Sequence, residues 1–198
     1  MPILQSQSSY QERFPQSILA RTEGLRAPQH VEIDYRIYKD RVYPPGLFVG
    51  TTANTRIFRF LPRTRFKSVT GNVMTVSRWT SGIFVPGDVI NVIDLATGNA
   101  GAAVGTVLDV DFDLDTVTFT AAPTAPAVNT VIGVAASKPI TPDGNRLGIV
   151  SPNTIIDFTD APNSQFGVFL GGVIHRRLIP HIDQQLENLF PQLDFVSP

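Results

Sequence analysis

The pattern of apolar and polar positions is sharpest between Pro86 and Thr120, PGDVINVIDLATGNAGAAVGTVLDVDFDLDTVTFT. Val89, Ile90, Val92 and Ile93 put apolar side chains on both faces of a short run, which predicts a strand covered on each side. Asp94–Gly98 (DLATG) has the small, polar and glycine residues of a turn. After Gly105 the pattern becomes strict alternation. Leu108, Val110, Phe112 and Leu114 fall on one face, and Asp109, Asp111, Asp113 and Asp115 on the other. At Thr116 the phase flips, so that Val117 and Phe119 are the apolar positions. A flip without an intervening glycine predicts a tight turn near Asp113–Thr116 and hence a β-hairpin.

Shorter runs flank this segment. Val31, Ile33, Tyr35 and Ile37 alternate with Glu32, Asp34, Arg36 and Tyr38, as in a half-buried strand. VYPPGLFVG (42–50) predicts a turn followed by a short apolar strand. Val73–Trp79 and Gly82–Val85 open a central module that VNTVIGV (128–134) closes. About five short strands there suit a small barrel or sandwich. Ile149–Val150, Thr154–Phe158 and Phe166–Ile174 are further apolar runs after the turn-rich connector KPITPDGNR (138–146). Pro180 suits a first helical position, Ile182, Leu186, Leu189 and Phe190 follow at helical spacing, and Pro191 ends the helix. Leu186, Leu189 and Phe190 would pack the core or a sister copy. No internal repeat is visible.

The first 30 residues break these rhythms. Gln, Ser, Arg and Pro dominate, and Ile3, Leu4, Phe14, Ile18 and Leu19 are scattered. Such a segment buries too little apolar surface to offset its ordering entropy, which predicts an extended arm that either stays mobile, as an ordinary floppy terminus, or orders against a partner. The fold expected is therefore mainly β: small β-barrel or sandwich modules with an extended N-terminal arm and one short C-terminal helix. Its parts are an arm (1–30), a β-rich base (31–70 and 138–198) and an inserted small β-barrel (71–137).

Composition sharpens this picture. The 198 residues include 42% hydrophobic and 17% charged residues, with 16 Pro and 15 Gly. That favours a globular chain of many short strands and turns. With no cysteine, disulfides, thiolate catalysis and Cys-based zinc sites are excluded. No signal-like or membrane-length apolar run occurs, so synthesis in a cytoplasm and no membrane contact are expected. Residues 1–78 carry 12 Lys/Arg against 5 Asp/Glu, whereas residues 79–198 carry 4 against 12. Such polarity suits a basic face docking on an acidic partner, or simply uneven surface charge.

Reactive chemistry is hard to find. The Asp109/111/113/115 row lacks the glycine and glutamate of a calcium loop, since Leu114 and Thr120 stand at those places. Carboxylates two apart on a strand also lie roughly 6.6–6.8 Å apart, too far for one ion to gather all four. His30, His175 and His181 show no metal-ligand spacing. Ser151, Asp157 and His175 are the types of a Ser-His-Asp site, but no nucleophile-elbow motif accompanies them. Neither a P-loop nor a dinucleotide fingerprint is present. No catalytic residue, metal or cofactor is assigned, and the chain reads as a non-enzyme. Arg56–Lys67 carries five positive charges with Phe58, Phe60 and Phe66 between them. This resembles single-strand nucleic-acid binding, but the acidic remainder of the chain favours an acidic protein surface. An ordinary solvated strand is the plainer alternative.

VYPPGLFVG (42–50), GDVINVIDLATG (87–98) with GTVLDVDFDLDTVTF (105–119), and GVIHRRLIP followed by LENLF (172–190) resemble the decoration or cement proteins of tailed-bacteriophage heads. The resemblance implies a viral structural protein on the outer capsid surface, bridging neighbouring subunits of the major capsid protein. It implies assembly as a dimer or trimer at a symmetry axis of the virion. Extended segments that fold on binding and many weak contacts on a lattice would supply the affinity. The capsid-contact candidates are Ile3, Leu4, Arg13, Phe14, Arg21, Arg26, Arg56, Arg59, Arg63, Arg65 and Lys67. A tail, connector or baseplate component is the alternative. So is a surface glycan-binding module with Trp79 as its stacking residue.

Overall fold

The computed structural model describes residues 19–26, 31–33, 38, 41–50, 57–135, 147–150, 156–158, 165–166, 168–190 and 192–197. The chain is mainly β and divides into two units. One comprises Met1–Arg59, Gly144–Ile179 and Phe190–Pro198; the other comprises Phe60–Asp143 and Pro180–Leu189.

In the first unit, β1 (Leu19–Arg26), β2 (Val31–Ile33), β3 (Val42–Tyr43), β4 (Phe48–Gly50) and β5 (Ile57–Phe60) come from the first third of the chain. In the order of the sheet, β1 pairs with a long strand at 168–175, which pairs in turn with one at 147–150; β4, β5, β2 and a short strand at 165–166 follow. Tyr43 lies at the centre of an aromatic cluster, edge-on to Tyr38 at 5.7 Å and to Phe158 at 5.9 Å between ring centroids. Burial raises the Tyr43 phenol above its ordinary pKa, against the opposing pull of Arg41.

Two expectations change here. The arm does not run unbroken to residue 30, because Leu19–Arg26 form β1, with Gly24 opposite Gly172 and Arg26 opposite Phe169. Backbone pairing with a neighbouring strand supplies what the sparse apolar side chains cannot. Residues 1–18 lie outside the described residues. Of the alternating run from Val31, Val31–Ile33 form β2, residues 34–37 lie outside the described residues, and Tyr38, placed on its polar face, is buried.

The second unit is a barrel. Its strands are β6 (Arg63–Thr70), β7 (Val73–Val76), β8 (Val89–Ile93), β9 (Ala100–Asp111), β10 (Thr116–Phe119) and β11 (Val131–Val134). The antiparallel order β10-β7-β6-β11-β8-β9 returns to β10 and closes. Two strands bend to make this possible. Residues 66–70 of β6 pair with β7 while residues 63–65 pair with β11. Residues 100–106 of β9 pair with β8 while residues 107–111 pair with β10. The module boundary expected at 71 is therefore too late, since β6 holds both its neighbours in the ring.

The interior is packed by Phe66, Met74, Ile90, Val107, Val117, Phe119 and Ile132, each buried. Gly105 makes room for one of them, because a Cβ there would lie 2.6 Å from Cδ1 of Phe119.

The hairpin forms where the phase flip put it, with a turn between β9 and β10; Val110 and Phe112 are half-buried while Asp109, Asp111 and Asp113 are exposed, as expected, but Leu108 and Leu114 leave that apolar face. Thr118 pairs with Asp109 and Phe119 with Val107, so Leu108 is bulged out of the ladder. Parity reverses at that point. Val107 is 1% exposed and Leu108 is 54% exposed. Leu114 is carried out to solvent in the turn, whose backbone is held by Asp111: its Oδ1 accepts from the Asp113 and Leu114 amides at 2.9 and 3.0 Å. Val89 of β8 is also exposed, so that strand is not covered on both faces.

After the barrel come β12 (Leu147–Val150), β13 (Ile156–Asp157), β14 (Gln165–Phe166), β15 (Val168–His175) and β16 (Leu193–Val196), with α1 (Gln184–Leu189) before β16. The helix starts later than Pro180 suggests. Asp183 is its N-cap, Oδ1 accepting from the Leu186 amide at 3.0 Å. Pro180, in a bend, and Ile182 precede the helix and lie outside it.

Candidate functional site

The alternation of β6 places Thr64 and Phe66 inside the barrel and Arg63 and Arg65 on its outer face. Arg63 stands opposite Gly133 and Arg65 opposite Val131 of β11. Within the barrel, the Thr80 hydroxyl donates to the Ser77 carbonyl and is itself bonded to the Thr64 hydroxyl. This satisfies both buried hydroxyls. On the outside, residues 180–189 lie over the arginines and form a buried charged cluster with them.

Asp183 is its centre and is fully buried. Its Oδ2 accepts from Arg63 NH1 at 3.2 Å and meets His181 Nε2 at 3.1 Å. Arg63 NH1 also donates to Gln185 Oε1 at 2.9 Å, and Arg65 NH2 donates to the Ile182 carbonyl at 3.0 Å. The Gln185 amide in turn rests on the DLATG turn, where a Cβ on Gly98 would collide with it. Burial by itself would raise the Asp183 carboxyl, but the His181 hydrogen bond, the Arg63 charge and the Leu186 amide hold it down at about 2. His181 is pushed below its ordinary pKa, by burial first and by the charges of Arg65 and Arg63, with Asp183 opposing. A carboxylate ionised at neutral pH only accepts hydrogen bonds, so His181 donates through Nε2. This arrangement fastens a chain segment to a sheet, with every polar contact directed inward.

The expected contact residues scatter. Arg63 is 1% exposed and ion-paired to Asp183, so it is corrected from a surface contact to a buried structural group. Arg65 is half-buried over Ile182. Arg59 and Lys67 are exposed, and Lys67 Nζ donates to Asn129 Oδ1 at 2.9 Å. Arg21 and Arg26 lie on β1. Ile3, Leu4, Arg13, Phe14 and Arg56 fall outside the described residues. Phe60 and Phe66 are buried, which removes two of the aromatics needed for base stacking along 56–67.

The remaining candidates also find places. Asp109, Asp111 and Asp113 are exposed, whereas Asp115 adopts a left-handed backbone (φ 53°) and accepts from the Trp79 amide at 2.6 Å. Trp79 is half-buried, and the Arg78 guanidinium covers one ring face at 4.3 Å from the centroid, where a sugar would stack. Among the described residues no cluster of three or more His, Asp or Glu suits a metal ion, and no helix is long and apolar enough to cross a membrane. Ser151 is outside the described residues. Leu186 and Phe190 are buried, and Leu189 is partly exposed.

Sequence reasoning missed Asp183 and Gln185. The available signal was Asp183 itself, an N-cap residue type directly before the run that carries Leu186, Leu189 and Phe190. Comparison of the chain with protein-family models, with curated proteins and with solved structures gives no match.

Proposed function

We propose that this chain is a non-enzymatic virion component that binds the outer surface of a tailed-phage capsid and bridges neighbouring subunits of the major capsid protein. The observation that carries the reading is the fate of the segment on which the resemblance rests. GDVINVIDLATG and GTVLDVDFDLDTVTF build β8, β9 and β10 of a barrel whose ladders close on themselves. Such a unit keeps its shape without borrowing a strand, and a closed ladder discourages edge-to-edge pairing among crowded copies. Val128, 65% exposed, supplies apolar contact area.

On this reading the docking patch is Lys67 with Val128, which flank Asn129, and residues 1–18 extend the contact. Lys67 meets an acidic shell surface, while Asp109, Asp111 and Asp113 face away from it. Each contact is weak, and the repeating lattice multiplies them. Co-sedimentation with purified shells tests this. A chain lacking residues 1–18, which spares β1, and a Lys67→Glu variant should each bind at least about tenfold more weakly, the scale of ~1.4 kcal/mol. Full-strength binding by both would remove the proposal.

A further inference from the structure

The buried His181–Asp183 pair has one feature that fastening alone does not require. His181 is 7% exposed, its Nε2 is committed to Asp183, and its Nδ1 has no hydrogen-bond partner among the described residues. Nδ1 is therefore a bare acceptor at neutral pH and the atom on which an added proton must land. That proton would create a buried N–H cation with no acceptor. The charged groups facing the ring are Arg63 and Arg65 from β6 and Asp183 from its own segment. Protonation thus sets three positive charges against one carboxylate around a buried ring, where uncompensated charge is costly.

We propose that residues 180–189 form an acid-released clasp on the barrel, with His181 as the trigger. The segment is suited to separate opening, because it is the part of the barrel unit that comes from beyond residue 143. Its polar attachments include Arg63 to Asp183 and Gln185, Arg65 to the Ile182 carbonyl, and Gln185 on Gly98, with Ile182 and Leu186 buried beside them. The six barrel ladders do not pass through it. Opening lets His181 reach water and take its proton there, so acid favours the open form. Asp183 stays ionised through the same range, since its carboxyl titrates only at about 2. The window runs from the ordinary histidine pKa of about 6.5 downward to His181's own lower value. This inference does not depend on the capsid reading.

The test uses the intact chain. Amide hydrogen exchange is measured for residues 184–189 and for β7 and β10 at pH 7, 5.5 and 4, each corrected for intrinsic exchange. The His181 imidazole nitrogens are titrated in parallel by NMR. The clasp predicts Nδ1 unprotonated at pH 7 and an opening constant that rises about tenfold per pH unit within the window, with β7 and β10 unchanged. His181→Gln, which keeps a donor for Asp183 but does not titrate, should flatten the response. If that variant does not fold, Arg65→Gln serves, raising the His181 pKa and narrowing the window. Protection of 184–189 that stays flat from pH 7 to pH 4 would overturn the proposal. So would loss of protection in the helix and barrel together, or a His181 pKa at or above 6.5.

Discussion

Asp183→Asn isolates the charge at the centre of the cluster. The substitution keeps the side chain's shape and its capacity to cap α1, since Asn is as good an N-cap as Asp. What it removes is the negative charge beside a guanidinium that is 1% exposed. The Asp183 carboxyl lies at about 2 in the folded chain, against about 3.9 in an unfolded one. That difference corresponds to about 2–3 kcal/mol of stability at neutral pH. Removing one partner of a buried ion pair typically costs about 3–5 kcal/mol, so the two routes agree on a loss near 3 kcal/mol. The sign follows from the depressed pKa. The contribution is complete above roughly pH 4 and disappears as the pH falls through 2. Urea unfolding followed by Trp79, the one tryptophan and a residue of the barrel unit, should show the full deficit at pH 7. At pH 2 the variant and the parent should differ by less than about 1 kcal/mol. Combining Asp183→Asn with Arg63→Met should recover much of the loss, because no charge is then stranded. A deficit under about 0.5 kcal/mol at pH 7 would refute the buried-pair argument, placing the site with ordinary surface substitutions.

Three further outcomes follow from particular contacts. Gly105→Ala drives a methyl group into the buried Phe119 ring and should cost about 1–3 kcal/mol, part of it restored by Phe119→Leu; thermal melts of the two variants check this. Asp115→Ala loses both a side chain suited to φ 53° and the hydrogen bond to Trp79; denaturant titration should show a loss of about 1–2 kcal/mol, with Asn tolerated better. Leu108→Ser and Leu114→Ser, at exposed positions, should change stability by no more than about 0.5 kcal/mol, and a drop in shell co-sedimentation by either would place the hairpin at the contact.

The strands were legible because apolar periodicity and turn residues coincide along most of the chain. The hairpin and the DLATG turn lie where their patterns put them, and the closing strand expected over 128–134 forms over Val131–Val134, with residues 128–130 in a turn before it. The hairpin's inward face was legible at Val110 and Phe112 but not before them. A bulge at Leu108 reverses parity without a glycine or proline to announce it, so Val107 and not Leu108 is the buried residue. Arg63 was misplaced for a related reason. The sequence puts it on the outer face of β6, and only a segment 120 residues away converts that outer face into an interior. Asp183 shows the reverse case: the cap residue was readable, while its ion pair depends on a long-range approach that no local pattern encodes. The arm ended early because β1 is held through its backbone, which side-chain composition does not report.

The proposal that this chain fastens a capsid from outside is tested most directly by electron microscopy of the intact particle, with the chain's density located against the major capsid lattice. The account predicts hundreds of copies on the outer surface, each spanning a junction between capsid subunits. Six or twelve copies at the tail or connector, or no density on the shell at all, would contradict it.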